Sequence, residues 1–480
     1  MAGFSIVLEE GGDIQAAIDS LPATGGTILL KPGNYYPNSN IVLRSGIEII
    51  GISGASTLII FTNTDYCVRA EGSNVYTTGT VTVSNGSYTV TGIGTLWQDN
   101  LTISHQIKLG DFWYSIASID SQTSLTLATK YIGEDLSGEN YKAAIMVTEL
   151  HLKNFTVYNG NVDGILLDYV YSSIFDGLYS IGNGRYGFKL TNIAQSTFKN
   201  CATRENGQSG IFGGDLDHTE FDVFWVYDNG GAGTYPGIYF SNPIFDCDFE
   251  NVLARNNTDA GISLVNAQDI TLHAGESAYN GAEGIKLVGC QRVIIHSMEI
   301  DGNTGDGVEI GADSNFNIVK GNVLKNNGGY GIEISTSNSD YNTIGINAYS
   351  DNTSGDYLDT GTNTQIAATK NYVDTKVNDQ SASNYMKIGN QLICWGTGSI
   401  SVAANTAGTA GTVVTFPLAF KAGTTPSIVI QATSLYSNAY GWTFSDSISN
   451  TGFTPRAVNK AAANTAGAQT HGWIATGVWQ

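Results

Sequence analysis

Two short runs, Glu220-Phe221-Asp222 and Asp248-Phe249-Glu250, share one pattern: carboxylate, aromatic ring, carboxylate. In an extended strand the two acids of each run point to one side and the phenylalanine to the other. On neighbouring strands, the four acids would form a square, about 7 Å along the strand and about 5 Å across it. Those separations bracket the carboxyl pairs of retaining (about 5–5.5 Å) and inverting (about 6.5–9.5 Å) glycosidases. Crowded like charges raise one pKa, which would supply a general acid beside an ionised base. Asp246 extends the group.

The strands that must position these acids are marked by a repeat. Glycine recurs at Gly164, Gly187, Gly210, Gly237, Gly261, Gly284, Gly307 and Gly331, in steps of 23, 23, 27, 24, 23, 23 and 24 residues. Each glycine follows an Asn- and Gly-rich turn, whose residues permit positive φ, and precedes a short apolar-alternating run. Such a period is one unit stacked on itself, a coil of a parallel β-helix. The step of 27 predicts a coil with an expanded surface loop.

Aligned on the glycines, Lys153, Asp176, Lys199, Asp222, Glu250, His273, His296 and Lys320 form one outward column, each behind a large inward apolar residue. A second column holds Thr156, Tyr179, Ala202, Trp225, Leu253, Glu276, Glu299 and Val323, with Arg204, Tyr227 and Arg255 two residues further on. A third, after the glycine, holds Leu166, Lys189, Phe212, Tyr239, Ser263, Lys286, Glu309 and Glu333. Trp225, Tyr227, Phe212 and Tyr239 fall on the carboxylate coils and are predicted to offer apolar faces to sugar rings. Arg204 and Arg255 are predicted to bind polar or anionic sugar groups. The loop Asp215-Leu216-Asp217-His218 is expected beside them.

The same residues have other readings. Outward polar columns occur on any solvated β-helix face, and clustered carboxylates also suit Ca²⁺. Lyase chemistry on a uronate would use a base such as His273 or Lys199, with Arg204 and Arg255 for the substrate carboxylate. No nucleophile elbow, P-loop, HExxH or zinc spacing is present. No cofactor or metal is assigned.

The 480 residues exceed one ordinary core and suit a solenoid with appended modules. A net charge of −21 opposes binding to nucleic acid or an anionic membrane. Asn, Ser, Thr and Tyr must clothe a surface with only 14% charged residues, which suits sugar hydroxyls and β-structure alike. Cys67, Cys201, Cys247, Cys290 and Cys394 lack ligand spacing and read as core filler. The sequence shows no signal peptide and no apolar run long enough to span a membrane.

Residues 1–40 read as an N-terminal cap. GGDIQAAIDSL (11–21) is a helix capped by Asp13, followed by the strand GGTILLKPGNYY. Coils begin at 41–76. Residues 77–146, with TGTVTVSNGSYTVTG turning at Asn85-Gly86, form an inserted small β-domain. The main helix runs over 147–360. A short helical collar lies in 361–384, with Ile366, Val373 and Val377 aligned over 366–377. Residues 385–480 read as a β-sandwich.

The cap closely resembles that of pectate-lyase-like right-handed parallel β-helix proteins. Taken with the YVD-type short helix and TFPLAF, TPSIVIQA and GWIATGVW near the end, the chain resembles a bacteriophage tailspike or tail fibre. The resemblance implies an all-β homotrimer in the extracellular part of a virion tail. It would bind, and as a depolymerase cleave, a bacterial surface polysaccharide (capsule, O-antigen or exopolysaccharide). A polysaccharide lyase, or a non-catalytic adhesin using its C-terminal sandwich, are the rival expectations. Such proteins usually begin with a virion-anchoring domain, whereas this sequence starts at the cap. That implies truncation or attachment through another protein.

Overall fold

The computed structural model describes residues 4–62 and 67–366 in full, and beyond them the backbone of strands between 384 and 478. The predicted collar helix lies outside the described residues except for Ile366, which ends the short strand Gln365–Ile366 paired with Thr343–Ile344.

One coil shows how the sequence makes the solenoid. Ile211–Asp217 lies in one long parallel sheet, here sheet B. The chain turns at His218 and enters sheet A with Glu220–Tyr227. That strand bends at Val223, splitting it into two segments. A turn at Asp228 and Asn229 then leads to Gly237 and the next strand of sheet B, Ile238–Phe240. The corners at His218, Val223 and Asp228 have φ of 44°, 50° and 52°. Positive φ thus falls on these corners rather than on the repeat glycines. Gly210 instead serves close approach: a Cβ there would lie 2.2 Å from Thr203 Oγ1 and 2.8 Å from Asn229 Nδ2.

Inside, rings stack from coil to coil. Phe175, Phe198, Phe221 and Phe249 follow one another at centroid distances of 4.5, 5.1 and 4.8 Å. Beside the glycine turn runs a buried amide ladder, Asn183–Asn206–Asn229–Asn257–Asn280–Asn303–Asn327–Asn352. Each Nδ2 donates to the next Oδ1 over 2.8–3.1 Å. Each acceptor also takes the backbone N–H of the asparagine before it in the ladder, which satisfies both groups where, short of the half-buried Asn352, water cannot reach. Cys67, Cys201, Cys247 and Cys290 are buried free thiols.

At the start, Ile14–Ser20 forms a helix whose N-terminus is capped by Asp13, accepting from Ala16 N at 3.0 Å. Ile14, Ala17 and Ile18 bury its inner side on the first coils. Sheet A then passes over an interruption: Glu48 pairs in register with His151. Between them, strands from Ser73 to Ile145 form a separate antiparallel eight-stranded sheet. Its core includes Trp97, whose Nε1 donates to Tyr141 Oη at 2.9 Å. This module meets the solenoid corner through Trp113 N–H on Asp217 Oδ2 (3.1 Å) and Lys142 Nζ on Asn192 Oδ1 (3.0 Å). Phe112 lies against His218.

The C-terminal unit, 368–480, is described by its strands alone. Asn384–Ile388, Gln391–Val402, Gly467–Val478 and Ser427–Ala432 make one antiparallel sheet. Thr409–Ala410, Val414–Thr415, Gly452–Asn459 and Tyr440–Ile448 make another.

Candidate functional site

The ladder registers align the two acidic runs. Glu220 pairs with Asp248, and Asp222 with Glu250, on adjacent parallel strands of sheet A. The outward column runs without a break from Lys153 through Asp176, Lys199, Asp222, Glu250, His273 and His296 to Lys320. Phe221 and Phe249, between the acids, are in the core, so alternation alone turns the carboxylates outward. Among the described residues, the side chains of Glu220, Asp222 and Glu250 take part in no hydrogen bond or ion pair, whereas Asp248 Oδ1 lies 3.2 Å from His273 Nε2. His273 in turn stacks on His296 at 5.2 Å.

The second predicted column also forms. Thr156, Tyr179, Ala202, Trp225, Leu253, Glu276, Glu299 and Val323 pair in succession. Trp225 and Tyr227 follow the carboxylates on the same strand, past the bend at Val223. Trp225 is 38% exposed. Tyr227 stands in register between Arg204 and Arg255, and burial raises its pKa. Both arginines have partners: Arg204 Nη2 lies 3.1 Å from Glu205 Oε1, and Arg255 pairs with Glu276.

Phe212 and Tyr239 are elsewhere. They pair with each other on sheet B, in the column Leu166, Lys189, Phe212, Tyr239, Ser263, Lys286, Glu309, Glu333. From Phe212 the strand runs about 16 Å further to Asp217 before it turns the corner at His218. The structure therefore does not bring these two rings together with the carboxylate square. Their neighbour is Tyr186, stacked on Phe212 at 4.2 Å and 6° between planes, with Tyr239 edge-on to Phe212 at 5.8 Å.

Further along sheet B lies a group the sequence reading did not single out. Lys286 Nζ is 2.6 Å from Glu309 Oε2 and 3.5 Å from Glu283 Oε1. Ser335 Oγ donates to Glu309 Oε1 at 3.0 Å. Glu333, next in register, has its pKa raised to about 7, first by burial, then by a hydrogen bond to Asp306 and the charges of Asp306, Glu309 and Glu283. Asp306 itself accepts Tyr330 N–H at 2.5 Å. A sequence signal existed: Glu283 and Asp306 each precede a repeat glycine by one residue, while Lys286, Glu309 and Glu333 each follow one by two. Both positions border the same turn.

The family described as "Right handed beta helix region" matches residues 143–273 and 226–373. Among curated proteins, the chain is 25% identical over 242 residues to mannuronan C5-epimerase AlgE1 of Azotobacter vinelandii, covering 47% of this chain and 16% of that protein. It is 24% identical over 283 residues to AlgE5 of the same organism, covering 56% and 25%. The chain thus spans a quarter or less of the length of these two relatives. Among solved structures, the AlgE4 A-module of A. vinelandii aligns with a TM-score of 0.43 and 15% identity, covering 75% of this chain and 97% of that one. Tailspike gp49 from Pseudomonas phage LKA1 aligns with a TM-score of 0.39 and 14% identity, covering 97% and 92%. The two matched stretches together span residues 143–373, just under half of the chain.

Proposed function

We propose that this protein binds a bacterial surface polysaccharide along its β-helix and cleaves it as an endo-glycosidase at Asp222 and Glu250. The supporting observation is that these two carboxylates stand directly opposite each other on adjacent strands, with no side-chain partner among the described residues. One strand spacing, about 4.8 Å, approaches the separation used by retaining enzymes. In that chemistry one carboxylate attacks the anomeric carbon while the other, protonated, gives its proton to the departing glycosidic oxygen. Water then displaces the carboxylate, and the second residue, now ionised, takes a proton from that water as it attacks. Glu220 and Asp248 flank the pair on the same two strands. Trp225 and Tyr227 supply ring faces on the same strand, and Arg204 and Arg255 supply cations beside them. The biological setting that fits this reading is a homotrimeric tail spike acting outside the host cell during adsorption.

A second reading is favoured by Glu333. A carboxyl that holds its proton near neutral pH is suited to acid–base work. It shares sheet B with Phe212 and Tyr239, on the first of which Tyr186 of the preceding turn stacks, and the curated relatives are named for C5-epimerisation of mannuronan. On this reading sheet B would move a proton on a uronate, as an epimerase or lyase does, and sheet A would be a solvated face.

Product analysis separates the two. Wild type, Asp222→Asn, Glu250→Gln and Glu333→Gln are incubated with mannuronan and a panel of capsular and exopolysaccharides. New reducing ends without an unsaturated chromophore, abolished by the first two substitutions and kept by the third, are expected. Unsaturated or epimerised products lost only in Glu333→Gln would overturn the sheet A assignment. Binding without any product would leave an adhesin.

A further inference from the structure

The corner joining sheet B to sheet A is a column of residues in the left-handed backbone region. His218, Asp246, Asp269, Arg292, Phe316 and Tyr341 have φ of 44°, 48°, 56°, 56°, 61° and 55°. Each N–H donates to a carbonyl of the following coil: Arg292 to Asn315, Phe316 to Asp340, Tyr341 to Thr362. The first four side chains are ionic and mutually paired. His218 Nε2 lies 2.9 Å from Asp246 Oδ2, and Arg292 Nε lies 2.6 Å from Asp269 Oδ1.

The last two are aromatic and in the open. Phe316 and Tyr341 stack with centroids 5.2 Å apart and planes 6° apart. They nevertheless remain 51% and 53% exposed. Positive φ is unfavourable for bulky side chains and well tolerated by asparagine or glycine. Asn363, with φ 56°, is such a residue. Two large rings in strained, solvent-facing positions gain little from the core and cost backbone energy, so neither packing nor backbone preference accounts for them.

The surroundings indicate what would cover the rings. Arg292 precedes Phe316 in the column. Asn315 Oδ1 accepts Asp340 N–H at 2.6 Å, and Asn338 Nδ2 donates to Asp313 Oδ1 at 2.6 Å. The rings are thus an apolar island among amides, carboxylates and a guanidinium. A stable protein contact needs about 800 Å² from each partner, far more than two half-exposed rings offer. A sugar residue combines an apolar C–H face with a hydroxyl rim and matches both the size and the polarity of the patch.

We propose that Phe316 and Tyr341 form a saccharide subsite that takes the C–H face of a pyranose in an extended polysaccharide, with Arg292, Asn315 and Asn338 meeting its hydroxyls. The inference rests on the polysaccharide reading and deepens it. The coil of Phe316 lies three coils beyond that of Asp246 and Glu250, about 14 Å along the solenoid. The subsite is therefore a grip on the chain away from Asp222 and Glu250, and it acts on affinity rather than on the bond-breaking step.

The test is a Phe316→Asn/Tyr341→Asn double variant, whose new residues suit positive φ. Wild type and variant are titrated calorimetrically against mannuronan and a panel of capsular and exopolysaccharides, with melting temperature and light scattering recorded. The expected result is an unchanged or higher melting temperature, unchanged assembly and an affinity about tenfold weaker or worse for every probe the wild type retains. Equal affinity would overturn the subsite and leave the polysaccharide reading intact. A drop in assembled mass would overturn it in favour of a contact between copies of the chain. If the wild type retains no probe, the polysaccharide reading fails and takes the subsite with it.

Discussion

Replacing Asn229 by alanine tests whether the buried amide ladder holds the coils together. Asn229 is fully buried. Its Oδ1 accepts from Asn206 N at 3.2 Å and from Asn206 Nδ2 at 2.8 Å, and its Nδ2 donates to Asn257 Oδ1 at 3.1 Å. In the variant the Asn206 N–H has no partner. Asn206 Nδ2 keeps Ser180 O, and Asn257 Oδ1 keeps the Asn229 N–H. One orphaned buried donor costs about 1–3 kcal/mol, and two weakened bonds about 0.5–1 kcal/mol each, for a total of about 2–5 kcal/mol. Asn352, at the end of the ladder, is only half-buried, so water can replace it and Asn352→Ala should cost about 1 kcal/mol. Urea unfolding of both variants, with hydrogen exchange at the Asn206 amide, measures the difference. If Asn229→Ala costs no more than Asn352→Ala, the ladder is a passive consequence of stacking and the reasoning is wrong.

Three further outcomes are expected. The Glu333 pKa is raised from the usual 4.5 to about 7, so the native state binds the extra proton; its stability contribution is full below pH 4.5 and lost as pH rises through 7. Glu333→Gln should flatten that decline, and melting curves from pH 4 to 8 that keep the wild-type slope would contradict it. Trp225→Ala should weaken polysaccharide binding about tenfold with little change in melting temperature, since the indole is 38% exposed; unchanged calorimetric affinity would remove it from the binding surface. Light scattering should report a homotrimer that shifts toward monomer when 366–480 is deleted, and a stable full-length monomer at micromolar concentration would refute the assembly.

The registers were legible because two signals agree: the glycine period counts residues per coil, and the inward aromatic next to each acid fixes which side it faces. Glu220 could therefore be set against Asp248, and Asp222 against Glu250, by counting alone. What could not be read was where each coil turns. Val223 and His218 carry the corners with positive φ, which local preference disfavours for a β-branched valine and which no glycine announces. Those corners are imposed by the neighbouring coils. Without them, Phe212 and Tyr239 look adjacent to the carboxylates when a corner separates them. Glu333 was hidden for a related reason: its perturbation needs Asp306, a turn residue from the coil before, and turn side chains have no alternation to orient them.

The register joining Glu48 to His151 also sets a timing problem for synthesis. When the first coils emerge from a ribosome, the strand Ile47–Gly51 offers a bare edge whose partner is 100 residues away. At about 5–20 residues per second, that edge waits roughly 5–20 s while the intervening module is made. The module's strands pair antiparallel among themselves, so they can close into their own sheet before the next coil arrives. The capping helix covers the opposite end of the nascent stack throughout. The growing solenoid thus has one open end, where the strands Ile47–Gly51, Thr57–Ile60 and Val68–Glu71 all wait for the next coil, and it lengthens from that end in a single direction.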